Sequence, residues 1–172
     1  MPSTPALELE FADSDTEMLV YGEARPADER LVRLLEWWRA ARGQMPLPLW
    51  SDERLEQIGP MREFVHVHEV LTGSNQVRVK FVGPALVQMI GEDPTGHLFS
   101  DEHAPSESLR PTARRTFELV RLAQRTQAPL RACSKSARSL RGGKFMAENL
   151  HLPFAGADGA DIVLGATIYT PQ

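Results

Sequence analysis

His66 and His68 stand two residues apart in a run rich in β-branched residues. In an extended strand that spacing sends both imidazoles to one face, as a metal centre requires. Two ligands do not complete such a site. The other histidines, His97, His103 and His151, fall in two loops and a strand with no cluster spacing, so the expectation is hydrogen-bonded structural histidines and no metal ligand is assigned. Cys133 lies between Arg131 and Lys135, whose charges would lower a thiol pKa; no general base accompanies it, and packing is the expected role. Gly142-Gly143-Lys144 has the ending of a phosphate loop without its upstream glycine or following hydroxyl residue. Glu148 and Asn149 project to opposite sides of a strand, so one of them points inward and needs a partner. No catalytic residue follows from these spacings.

The chain that must position these groups has 172 residues, enough to bury a core without staples, and its single cysteine makes no intramolecular disulfide. It contains no apolar stretch of membrane-spanning length and no signal-peptide pattern, which makes a cytoplasmic protein the expectation. The net charge of −4 is unevenly spread. Residues 110–144 hold ten basic residues and one acid, Glu118, a net +9; residues 1–29 hold eight acids against Arg25, a net −7. Two such segments attract one another within a subunit or across a dimer, or each forms a solvated face. Nucleic acid is not the expected partner, because the arginines are not interleaved with aromatics and the overall charge is negative.

Leu7, Leu9 and Phe11 alternate with Glu8 and Glu10 in strand fashion. Asp28 is placed to cap a helix whose Leu31, Leu34, Leu35 and Trp38 recur at helical spacing, and Gly43 ends it. Ser51 is placed to cap a shorter helix that Gly59-Pro60 stops. Two strands, 63–71 and 76–82, are joined by Gly73-Ser74-Asn75. A short helix through Leu86, Val87, Met89 and Ile90 stops at Gly91, and a long one runs from about Ser106 to Thr126. Three strands between Pro129 and Thr170, turned at Arg141-Gly142-Gly143 and Ala157-Asp158-Gly159, close the chain. The last is apolar on both faces and belongs in the middle of a sheet. The fold class is α+β: a five-stranded antiparallel sheet with helices on one face and an extra N-terminal helix. Residues 1–26 read as an acidic, partly disordered extension and 27–172 as the domain.

Over roughly residues 31–169 the chain resembles a family of small bacterial single-domain PAS proteins, whose PAS fold follows a Leu- and Trp-rich helix. The matching pieces are Leu34-Leu35-Glu36-Trp37-Trp38-Arg39 with Arg42-Gly43, then Arg78-Val79-Lys80-Phe81-Val82-Gly83, Gly91-Glu92-Asp93-Pro94-Thr95-Gly96, Leu152-Pro153, Asp158-Gly159 and Val163-Leu164-Gly165-Ala166. The resemblance implies a final strand lying between the first and the fourth, and a ligand cavity between the sheet and the long helix. It also implies sensing or docking in signal transduction rather than catalysis. The residues placed to line that cavity are Phe81, Leu86, Met89, Phe117, Met146 and Tyr169. The interaction surface is expected on the N-terminal helix at Leu31, Leu34, Leu35 and Trp38, with a homodimer or a signalling protein as partner and a small molecule as ligand. No cofactor is indicated, and the competing class is a small enzyme or binding protein that uses the same cavity, with a histidine as general base.

Overall fold

The computed structural model describes residues 7–9, 18–21, 24–138 and 144–171. In chain order these form strands Leu7–Leu9 (β1) and Met18–Tyr21 (β2), helices Glu29–Arg42 (α1) and Glu53–Gln57 (α2), and a 3-10 segment Gly59–Phe64. Strands Val65–Val70 (β3) and Val77–Val82 (β4), helix Pro84–Ile90 (α3), strand Leu98–Phe99 (β5) and helix Arg110–Thr126 (α4) follow. Strands Leu130–Arg138 (β6), Lys144–Ala155 (β7) and Asp161–Pro171 (β8) complete the sequence.

All eight strands join one antiparallel sheet in the order β1-β2-β6-β7-β8-β3-β4-β5. The five expected strands are its inner members, and β8 lies between β7 and β3. Continuous burial from Ile162 to Ile168 is the reason that strand is apolar on both sides. Beyond those five, β1 matches the Leu7–Leu9 part of the strand-like alternation, and β2 and β5 are unexpected. The two-residue β5 borders β4, while β1 and β2 extend the other side, β2 pairing with β6, so part of the 1–26 extension belongs to the same sheet. Phe11, the first residues of the chain, the acids at positions 10–17 and the Arg141-Gly142-Gly143 turn lie outside the described residues.

The helices take both faces of the sheet, not one. Leu31, Leu34, Leu35 and Trp38 of α1 pack with Val65, Val67, Leu150, Leu152, Phe154, Ile162, Leu164, Ala166 and Ile168, and Leu55 of α2 joins them. Phe117, Val120 and Ala123 of α4 and Leu86 of α3 pack on the opposite side with Val70, Val77, Val79, Phe99, Leu130, Ala132 and Val163. The alternation of strand side chains divides the two sets, since residues paired across the sheet point the same way. Only a helix on each side satisfies a central strand that is apolar on both.

Local chemistry sets the helix ends. The Asp28 carboxylate accepts from the Arg30 amide at 2.8 Å, and the Gly43 amide donates back to the Arg39 carbonyl. Gly91 stops α3 with a left-handed φ of 87°, the conformation a glycine adopts without steric cost. At α2 the expected Ser51 cap is absent: Asp52 occupies the cap position, and its side chain makes no capping bond.

Candidate functional site

Register brings chemistry together on the α4 side. On β8 the residues facing α4 are Val163, Gly165, Thr167 and Tyr169; the β7 residues beside them are Pro153, His151, Asn149 and Ala147. Gly165 is flanked by His151 on one neighbouring strand and His66 on the other. A Cβ at Gly165 would run into the His66 ring, so the imidazole lies directly over the space that this glycine leaves. Its centroid is 5.5 Å from that of His151 and 4.6 Å from that of His68, and the Nδ1 atoms of His66 and His68 are 2.9 Å apart. His68 in turn stands edge-on to Phe99 at 5.4 Å, and Phe99 to Phe117 at 6.3 Å.

All three imidazoles are held neutral. Burial lowers the pKa of His66 to about 4, and burial together with the charge of His66 lowers that of His151 to about 3. Burial, then the neighbouring His66 and His151, hold His68 well below the ordinary imidazole value. His151 is only 1% exposed and its Nδ1 has no partner, a buried orphan shared among the described residues only by Nε1 of Trp50 on the other side of the sheet. Beyond the histidines, Thr167 donates to Asn149 Oδ1 at 2.7 Å and Asn149 donates to the Ala132 carbonyl at 3.3 Å, so the inward member of the Glu148–Asn149 pair is satisfied. At the far end of this polar row, burial raises the Tyr169 pKa and lowers that of the half-buried Arg115, each opposed by the charge of the other.

Glu148 projects to the α1 side and does different work. Its carboxylate accepts from the amides of Ala27 and Asp28 at 2.9 and 2.8 Å, immediately before α1, and Nε and Nη2 of Arg131 both donate to Oε2 at 2.8 and 2.7 Å. Burial alone would raise its pKa, but these donors outweigh it and the pKa is lowered. Further along β7, Trp38 donates from Nε1 to the Pro153 carbonyl at 2.8 Å.

No protein-family model and no curated protein matches the chain.

Of the six residues expected to line a cavity, Leu86 and Phe117 share the α4-side core and Tyr169 packs against it. Met89 is half-buried near the end of α3. Phe81 is not with them. The β3–β4 register steps from Val67↔Phe81 to His68↔Val79, passing over Lys80, and this bulge turns Phe81 to the α1 side, where the Arg62 guanidinium lies 5.1 Å from its ring. Met146 shares the Glu148 side of β7 and is 48% exposed. The four α1 residues expected to meet a partner are at most 3% exposed and are covered by the chain's own sheet. Cys133 is not activated, since burial raises its pKa against the opposing charge of Arg131. Among the described residues no three His, Cys, Asp or Glu side chains are arranged to hold a metal ion, and no helix is long and apolar enough to cross a membrane. The side chains of the N-terminal acids at positions 8–23 are outside the described set, and Arg110 and Arg121 of α4 make local contacts with Glu107 and the Phe117 ring.

Sequence reasoning named His151 without grouping it with His66 and His68, and missed Gly165 and Arg115. The meeting of His151 and Gly165 carried a signal: counting outward from the Ala157-Asp158-Gly159 turn, with Ala155 opposite Asp161, places His151 opposite Gly165. The arrival of His66 across β8 depends on long-range pairing and left no local mark.

Proposed function

We propose that this chain is a PAS-like sensory or docking module of bacterial signalling, cytoplasmic and acting as a homodimer or with a signalling protein. A small molecule on the α4 side biases how α1 sits on the opposite side. The observation that carries this reading is the two-sidedness of β7. One strand presents His151 and Asn149 toward α4 and Glu148 toward the start of α1, so displacement by a ligand reaches the α1 attachment through a single backbone. The order of the inner strands, with the last lying between the first and the fourth, accords with the family resemblance. An enzyme using a histidine base is the weaker alternative, because a base works best with a pKa near the operating pH, and His66 and His151 lie at about 4 and about 3.

Native mass spectrometry of the intact protein, followed by amide exchange on loaded and stripped samples, tests this. A retained small molecule whose removal speeds exchange in α1 is the expected result. A bare monomer, or a retained molecule whose loss leaves α1 exchange unchanged, would overturn it. Glu148→Gln should by itself raise exchange in the first turns of α1, since it removes charge-assisted hydrogen bonds of about 1.5–3 kcal/mol.

A further inference from the structure

We propose that the solvent side of α4 docks an acidic helical segment of a partner protein along a stripe of four arginines. This rests on the docking half of the reading above and adds the surface and the chemistry of the partner.

The stripe follows from the helix period. α4 carries five arginines and a single acid, Glu118. At 3.6 residues per turn, Arg110, Arg114, Arg121 and Arg125 fall within about 60° of one another, outside the face by which Ala113, Phe117, Val120 and Ala123 pack on the sheet. Along the axis they stand about 6, 10 and 6 Å apart and span about 22 Å. Arg115 lies further round the helix, where its charge meets Tyr169, and is not part of the stripe.

These charges are costly where they stand. Arg110 with Arg114, and again Arg121 with Arg125, are like charges at i, i+4, the spacing at which they repel along a helix. Arg110, Arg114 and Arg115 also occupy the first two turns, and the first turn holds no acid to meet the positive end of the helix dipole. A helix that its own surface charges disfavour has its reason outside the helix. The chain compensates one end only. Glu107 meets Arg110 at 2.6 Å in a pair exposed on both sides, a weak contact that a partner's carboxylate can replace, and Arg114 has contacts of its own within the chain. At the other end the Arg121 guanidinium lies 6.0 Å from the centre of the Phe117 ring, and Arg125 is exposed. Neither of these two meets a carboxylate among the described residues.

What the face lacks narrows the occupant. The apolar side of α4 is spent on the core, so none is left to enter a bilayer. The one aromatic of α4, Phe117, is buried, which leaves nothing on the solvent side to stack on a base and argues against single-stranded nucleic acid. A helix with glutamates at i, i+4, i+11 and i+15 repeats the spacings of the four arginines. Those spacings read alike from either end, so such a helix forms opposite-charge pairs with α4 in both directions.

The test uses the full chain and a labelled alanine-based peptide of the length of α4 with glutamates at i, i+4, i+11 and i+15. The control peptide has the same composition with its glutamates spread round the helix. In fluorescence anisotropy at low salt the patterned peptide should bind at least about tenfold more tightly than the control, and added salt should weaken it. Combining Arg121→Glu with Arg125→Glu should weaken binding by at least about tenfold. Arg125→Glu alone, at an exposed side chain, should act in the same direction with urea unfolding unchanged. The same change of charge at Arg78 and Lys80 on β4 should leave binding in place. No binding, equal binding of the two peptides, indifference to the α4 substitutions, or tighter binding of an oligothymidylate would each overturn the assignment. A retained small molecule that controls α1 exchange in a chain that ignores the peptide removes the α4 surface and leaves the sensor reading standing. Patterned binding by a chain that is bare in the native mass spectrum supports the surface and removes the retained-ligand reading.

Discussion

Along β8 two adjacent residues meet different chemistry. Ile162, Leu164, Ala166 and Ile168 face α1 among leucines, valines, Phe154 and Trp38, whereas Val163, Gly165, Thr167 and Tyr169 face α4 beside His66, His151 and Asn149. The first set buries apolar area, which stabilises by about 25 cal/mol per Å² and places few demands on direction. The second must satisfy donors and acceptors one by one. Both faces carry a packed apolar core, and the α4 face in addition places a row of polar groups beneath a helix.

That contrast can be broken at graded cost. Trp38→Ala should be the most damaging, because it empties a side chain that is 1% exposed and removes the bond to the Pro153 carbonyl; a loss of about 3–5 kcal/mol in urea unfolding is expected. Gly165→Ala should cost about 1–3 kcal/mol by displacing the His66 ring and parting it from His68, whereas Ala166→Gly, one residue away on the other face, should leave the histidine resonances in place.

Acid should act on the histidine face first and, below the ordinary carboxylate range, on the α1 attachment as well, where the lowered pKa values of Glu148 and Asp28 make protonation costly. The folded pKa values of about 4 and about 3 for His66 and His151, and the lowered value for His68, lie below those of the unfolded chain, so the unfolded state binds more protons between them. The stability this provides is fully present above about pH 6.5 and is lost as pH falls toward the folded values, at up to about 1.4 kcal/mol per pH unit for each histidine. Unfolding of His151→Phe measured between neutral and acid pH should show a shallower slope than wild type. Thr167→Val should have the smallest effect, about 1 kcal/mol, by leaving Asn149 Oδ1 without its donor.

The local signals were legible and the lateral ones were not. Asp28 and Gly43 marked the ends of α1, Gly91 ended α3, and the apolar character of 162–168 put β8 in the middle of the sheet. Phe81 failed because alternation with Val77 and Val79 assumes an unbroken pleat, and the step over Lys80 is set by pairing with β3 rather than by neighbouring residues. His66 and His68 were paired correctly on one face, but their meeting with His151 needed two strand registers at once. The apolar stripe of α1 required a cover, and periodicity alone did not distinguish the chain's own sheet from a second subunit.

The attachments of α1 have a mechanical consequence. Glu148 holds the amides that lead into the helix, Trp38 reaches Pro153, and beyond the helix the Trp50 amide donates to the Ala155 carbonyl at 2.8 Å while the Ala155 amide donates to that of Pro48 at 3.0 Å. Fourteen helical residues span about 21 Å, and the strand from Glu148 to Ala155 spans about 23 Å. Helix and strand thus lie as a rod lashed at both ends to a ribbon of nearly equal length. Bending or sliding the ribbon by more than the slack in those bonds requires one lashing to give way, which converts a gradual distortion into release of an end.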